Sequence, residues 1–459
     1  MAGRTGARLA FSLVVVCVAA ELLGVAAYYV DTGALFYTHR KSYPELLATP
    51  QDRLVVGEAL HPYFGPTHRP GTPFDIPASL SEDAAPVRLA TNNFGFVSAH
   101  DYPVAKAGDD QVILGIFGGS VGVWFCQLGA PRLVERLRAN PYFKEREIVP
   151  LCFAHEGYKQ PQQALVLAYF LSIGQRFDLV VNIDGFNDVA LSSLNNAAGM
   201  DISMPSVQHL DPLIGLVNRS ALTPDKLESL ASIFRDRKTL GDLTGRIADN
   251  RSAAVNLVLD RYYLYVNARY SRELGRFTNL PANPPENALI QSTAPTRPRE
   301  GPAVFEDIAE LWTGASLLMD DLVEARGGAY FHFLQPNQYF TTRRFGAEEA
   351  RAAINTASPF KISTEHGYPA LIAAAPRLRD AGVAFFDATG VFDRVDAPVY
   401  FDDCCHYTRE GNRTLADFVA ASILATAGPW RSGTADRGLG DRGSEVGDRR
   451  SDRSPVPTP

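Results

Sequence analysis

From Gln111 onward the chain alternates short apolar runs with helical patterns, and this rhythm narrows the available folds more than any other feature. Val112–Phe117, Ile148–Ala154, Asp178–Ile183, Gly328–Leu334 and Val383–Asp387 are apolar runs of strand length bounded by glycine or polar residues. Between them lie helical patterns at Val121–Ala139, from Pro161 to about Gly174, at Val304–Ala325 and at Pro369–Ala381. A last helix, Glu410–Ala425, places Leu415, Phe418, Val419 and Ile423 on one face. Continuous strand–helix–strand alternation implies right-handed crossovers and a parallel sheet covered on both faces, an α/β fold.

Three stretches break the rhythm. Residues 31–110 are irregular and rich in proline and glycine, and read as a stalk and lead-in. Residues 195–299 carry scattered prolines and several tyrosines without regular alternation; an excursion this long between the third and fourth strands reads as a cap or side lobe that sets substrate choice. Residues 431–459 are rich in Gly, Arg, Asp, Ser and Pro, and are expected to be disordered.

At the other end, Leu9–Val30 is an almost unbroken apolar run behind Arg4 and Arg8. About 20 apolar residues cross a hydrocarbon core, so residues 1–30 read as a single-pass membrane anchor with the body outside the cytoplasm; cleavage after Ala20 or Ala27 stays open. Glu21 is the one carboxylate inside the run. A net charge of −7 with no basic stripe argues against nucleic acid as a partner. Of five cysteines, Cys126, Cys152, Cys404 and Cys405 lie outside the apolar run, enough for up to two bridges. Adjacent Cys404 and Cys405 diverge, so at most one of them is expected to brace its loop; small buried thiols are the alternative.

In an open parallel sheet the site forms beyond the carboxyl ends of the strands. Ser120 follows the first strand behind Gly118-Gly119, Gly157 the second, Asn187 the third, and Asp402-Asp403-Cys404-Cys405-His406 the fifth. A serine hydroxyl attacks an acyl group only when an imidazole takes its proton and a carboxylate orients that imidazole. His406 and Asp403, three residues apart, fit those roles, with Asp402 as the fallback acid. The backbone N–H groups of Ser120 and Gly157 and the side-chain amide of Asn187 are the expected oxyanion donors. Gly115–Gly122 lacks both the G-x-G-x-x-G spacing and the lysine of a phosphate loop. Contiguous residues 402–406 cannot all converge on one ion, so neither metal nor organic cofactor is expected.

These blocks, Phe117-Gly118-Gly119-Ser120, Gly157, Gly185-Phe186-Asn187-Asp188 and Asp403–His406, together resemble the SGNH (GDSL-type) hydrolase superfamily over residues 111–430. His61-Pro62-Tyr63-Phe64-Gly65, Asn93-Phe94-Gly95-Phe96, Gly157–Gln162 and Leu334–Gln338 are similar to segments of its membrane-anchored bacterial members. The resemblance implies a three-layer αβα, flavodoxin-like sheet and an esterase acting on acyl or acetyl esters, with an ester-bearing small molecule or an envelope or exported glycan as substrate. An O-acyltransferase using the same residues, or a non-catalytic glycan-binding envelope protein, would share the pattern. The chain departs from the family at position 119, where glycine replaces the usual acid.

Overall fold

The computed structural model describes residues 2–39, 58–77, 79–80, 87–210, 223–280 and 299–431. The expected disordered tail lies outside them, apart from Arg431. The chain divides into two compact units, Met1–Val56 with Ile214–Gln291 and Gly57–Leu213 with Ser292–Pro459.

The larger unit begins with two antiparallel pairs, β1 (Glu58–His61) with β2 (Gly65–His68), and β3 (Pro73–Ile76) with β4 (Val87–Ala90). Residues 58–110 are therefore no detached stalk. Phe64, Phe96 and Tyr102 are buried in the same core as Phe153 and Phe170, and Tyr102 stacks on Phe153 at 4.4 Å. The Asn93-Phe94-Gly95-Phe96 segment is a tight turn in which the Asn92 carboxamide oxygen accepts from Phe94 N and Phe96 N.

Five parallel strands follow: β5 (Gln111–Gly118), β6 (Glu147–Cys152), β7 (Leu179–Asp184), β8 (Ala329–Leu334) and β9 (Ala384–Asp387). They lie in the order β6-β5-β7-β8-β9, so the chain starts inside the sheet, steps one way to β6, then reverses past β5 to β7. β5 is buried along its whole length, as a parallel strand covered on both faces must be. All five expected strands are present within a residue or two of their expected ends. The helix expected from Pro369 instead starts at Pro359 and runs to Asp380, capped by the Ser358 side chain, and carries Pro369 and Pro376 inside it.

The smaller unit consists, among the described residues, of the helices Ala2–Thr32, Pro224–Asp249 and Ala253–Asn279. The last two correct the expectation of an irregular excursion. Each carries a narrow apolar stripe within a charged surface, and Ile233, Leu240, Leu243 and Ile247 pack against Tyr263, Val266 and Tyr270. Such a stripe is easily missed when charged residues outnumber it. Within Ala2–Thr32, the segment Phe11–Thr32 is long and apolar enough to cross a membrane, and its Leu13, Val16, Val18, Leu22 and Leu23 side chains are exposed. Glu21 is not an idle blemish in it. Its carboxylate accepts from Ser252 Oγ and Ala253 N, both at 2.5 Å, and from Ala254 N at 3.2 Å. It thus binds the N-terminus of helix Ala253–Asn279, where unsatisfied N–H groups and the helix dipole favour an anion. Gly24 lies so close to Ala253 that a β-carbon there would overlap the Ala253 backbone.

The disulfide joins Cys126 to Cys152, leaving Cys17, Cys404 and Cys405 free. Neither cysteine beside His406 braces its loop through a bridge, although, contrary to the expected divergence, the Cys404 and Cys405 sulfurs lie 3.6 Å apart. Thiol titration of the denatured, unreduced chain is expected to count those three free thiols, rising to all five cysteines after reduction; a count of one would mean that Cys404 or Cys405 is bridged.

Candidate active site

Ser120 opens a short helix directly after β5. The turn between them needs its glycines. Gly118 has φ +151°, and a β-carbon there would overlap the Ile183 carbonyl of the neighbouring strand. A β-carbon on Gly119 would overlap the Asn187 side-chain amide. As the first helical residue, Ser120 also has a backbone N–H that the helical ladder does not consume.

The Ser120 hydroxyl lies 2.7 Å from His406 Nε2. On the far side of the ring, His406 Nδ1 is 2.5 Å from Asp402 Oδ2. The carboxylate on the imidazole is therefore Asp402, four residues before the histidine, rather than Asp403. Asp402 Oδ1 accepts from the backbone N–H groups of Cys404, Cys405 and His406 at 3.1 to 3.2 Å, so the same side chain folds the turn and orients the ring. That turn directs residue 403 outward, and the Asp403 carboxylate instead accepts from Asn355 Nδ2 at 2.8 Å. Further bonds hold the loop from outside: Gln338 Nε2 donates to Asp402 O and Tyr339 OH to Asp403 O. Phe401 stacks on the His406 ring.

Asn187 sits in the first turn of helix Phe186–Ala197, after β7, and its amide donates to Tyr158 O at 2.9 Å. That bond ties it to the loop that contains Gly157. Asp188 ties the same two loops through its two oxygens, accepting from Gly185 N at 3.0 Å and Gln160 N at 2.8 Å. Burial and the neighbouring Asp184 charge push Asp188 up to about 7. Beneath lies a buried network that the sequence did not disclose. Asp184 accepts from Trp312 Nε1, His332 Nε2 and Asn182 Nδ2, each at 2.7 Å, and His332 Nδ1 meets Ser316 Oγ at 2.8 Å.

The structure thus brings Ser120, His406 and Asp402 into one relay and sets Asn187 and the Gly157 loop beside it, while Asp403 stands outside. The sequence carries no local signal that separates Asp402 from Asp403, since either could collect N–H groups of its own turn and both precede the same two cysteines.

No protein-family model matches the chain, and no curated protein does. Among solved structures, a lipase from a goat rumen metagenome, Lip_vut3, matches at 11% identity and a TM-score of 0.33, over 70% of this chain and 100% of that one. Likeness of that order decides neither fold nor chemistry.

Burial pulls the His406 imidazole down, but the hydrogen bond and charge of Asp402 outweigh it, and the net shift is upward. Removing that carboxylate leaves burial dominant. In an NMR titration of the ring, Asp402→Asn should move the midpoint from above the ordinary histidine value of about 6.5 to below it, whereas Asp403→Asn should leave it in place. A larger fall in Asp403→Asn than in Asp402→Asn would reverse the assignment.

Proposed function

We propose that this protein is a membrane-anchored serine esterase of the SGNH type, cleaving acyl or acetyl esters through an acyl-enzyme on Ser120. The observation that carries this reading is the hydrogen-bonded relay from Ser120 through His406 to Asp402. The strand order β6-β5-β7-β8-β9 supports a flavodoxin-like αβα arrangement, with all the proposed groups beyond the carboxyl ends of the strands. The Cys126–Cys152 bridge favours an oxidising compartment and hence a body outside the cytoplasm, with Phe11–Thr32 as the anchor.

The chemistry follows from the relay. Ser120 Oγ attacks the ester carbonyl as His406 Nε2 takes its proton; Asp402 stabilises the resulting imidazolium. The oxyanion faces the N–H groups of Ser120 and Gly157 and the Asn187 amide. Collapse breaks the bond to the alcohol, which leaves with the proton from His406. Water then attacks the acyl-enzyme by the same route, releasing the carboxylic acid and restoring the serine. His406 works only when neutral, so the rate should fall as pH drops through its raised pKa.

Hydrolysis of an activated acetyl ester and labelling by a fluorophosphonate test the reading directly. Ser120→Ala should abolish both; labelling that persists in it would overturn the nucleophile. Asp402→Asn should lower kcat by about 10⁴-fold and Asn187→Ala by about 10²- to 10³-fold, while Asp403→Asn should stay within a few-fold of the parent.

A further inference from the structure

Beside the proposed esterase site stands a second cluster that the relay does not use. His68 at the end of β2, and His155 and Glu156 in the loop after β6, offer one donor atom each, all within 4.8 Å of one another. His68 Nε2 lies 2.9 Å from Glu156 Oε2. His209 adjoins them: its ring packs directly on Gly157, the residue after Glu156, where a β-carbon would overlap it.

Among the described residues, two of the three histidines carry a buried nitrogen without a hydrogen-bond partner. His155 is 1% exposed. Its Nδ1 is 2.9 Å from the Glu156 backbone carbonyl, an oxygen that only accepts, so Nδ1 bears the proton and Nε2 presents a lone pair. Among the described residues, His155 Nε2 has no hydrogen-bond partner, and neither does the buried His209 Nδ1. Leaving a buried polar atom unpaired is destabilising. An imidazole whose Nδ1–H is tied to a carbonyl while Nε2 keeps a free lone pair is the usual posture of a metal-bound histidine; the same Nδ1 lies 3.8 Å from Glu156 Oε2.

We propose that His68, His155, Glu156 and His209 bind one divalent transition-metal ion of the zinc type, which clamps the Gly157 loop to β2 and to residue 209. Nitrogen and carboxylate donors in a set of four match that class of ion. Bonds of about 2.0–2.1 Å in a tetrahedron place donors about 3.3 Å apart. The His68–Glu156 pair, at 2.9 Å, is already near that spacing. In the sequence these residues lie at 68, 155, 156 and 209, with no ligand spacing to reveal them. Cys404, Cys405 and His406 form another close trio, but both ring nitrogens of His406 are engaged, by Ser120 and Asp402.

The test uses the full chain in detergent, stripped with a chelator and titrated with Co²⁺ alone, followed by visible absorption, metal analysis and melting temperature. The expected result is one ion per chain, with the d–d absorption of four-coordinate cobalt, no thiolate charge-transfer band, displacement by Zn²⁺ and a raised melting temperature. His155→Ala should weaken binding at least tenfold. Glu156→Gln, at a side chain about one-third exposed, is a substitution the fold tolerates and should also weaken it at least tenfold. Ser120→Ala should bind as the parent does, which separates this site from the esterase proposal. Substoichiometric uptake, undiminished affinity in Glu156→Gln, or a thiolate band that assigns the ion to Cys404 and Cys405, would each overturn the inference.

Discussion

A single carboxylate holds the proposed catalytic arrangement together. Asp402 uses one oxygen to gather three successive backbone N–H groups and the other to grip His406 Nδ1. Turn geometry and imidazole orientation are thereby one degree of freedom rather than two. Four hydrogen bonds to an ionised group, each stronger than a neutral one, also explain how a loop without a disulfide keeps a ring aimed at a hydroxyl from a strand end 286 residues away in sequence. The bridge between Tyr400 and Tyr407 closes the loop behind it.

The opposite wall of the site depends on a different device, buried charge. Asp184 at the end of β7 collects donors from Trp312, His332 and Asn182, so strands β7 and β8 and the helix Ala303–Glu324 share one polar knot. Asp188, one helical turn further on, pulls Gly185 N and Gln160 N together. Breaking such a knot by removing one partner costs far more than the knot contributes as a whole, because it leaves a charge without compensation. Its value here is positional: it sets the start of the helix that carries Asn187 and the loop that carries Gly157. Asn187 in turn donates to Tyr158 O, locking the two loops to each other.

Much of this was legible from residue order. The five strands of the parallel sheet are visible because buried parallel strands are continuous apolar runs, and each candidate residue could be assigned to a strand end from that alone. Two kinds of feature were hidden. The choice of Asp402 over Asp403 turns on one residue of loop geometry, which spacing does not encode. The helices Pro224–Asp249 and Ala253–Asn279 were obscured because their stripe is narrow and their remaining surface charged. Glu21 lay between these cases: its oddity within an apolar run was plain, yet its partners at residues 252–254 are more than 230 positions away and follow no local pattern.

The same packing accounts for glycine at position 119. The Asn187 amide lies where a β-carbon on residue 119 would have to sit, and that amide is held by the Tyr158 carbonyl. A side chain at 119 would therefore displace either the amide or the loop behind it. The strand-to-helix turn keeps its hydroxyl against His406 because its rigidity comes from contact of Gly118 with the Ile183 carbonyl and of Gly119 with Asn187, rather than from a side chain of its own.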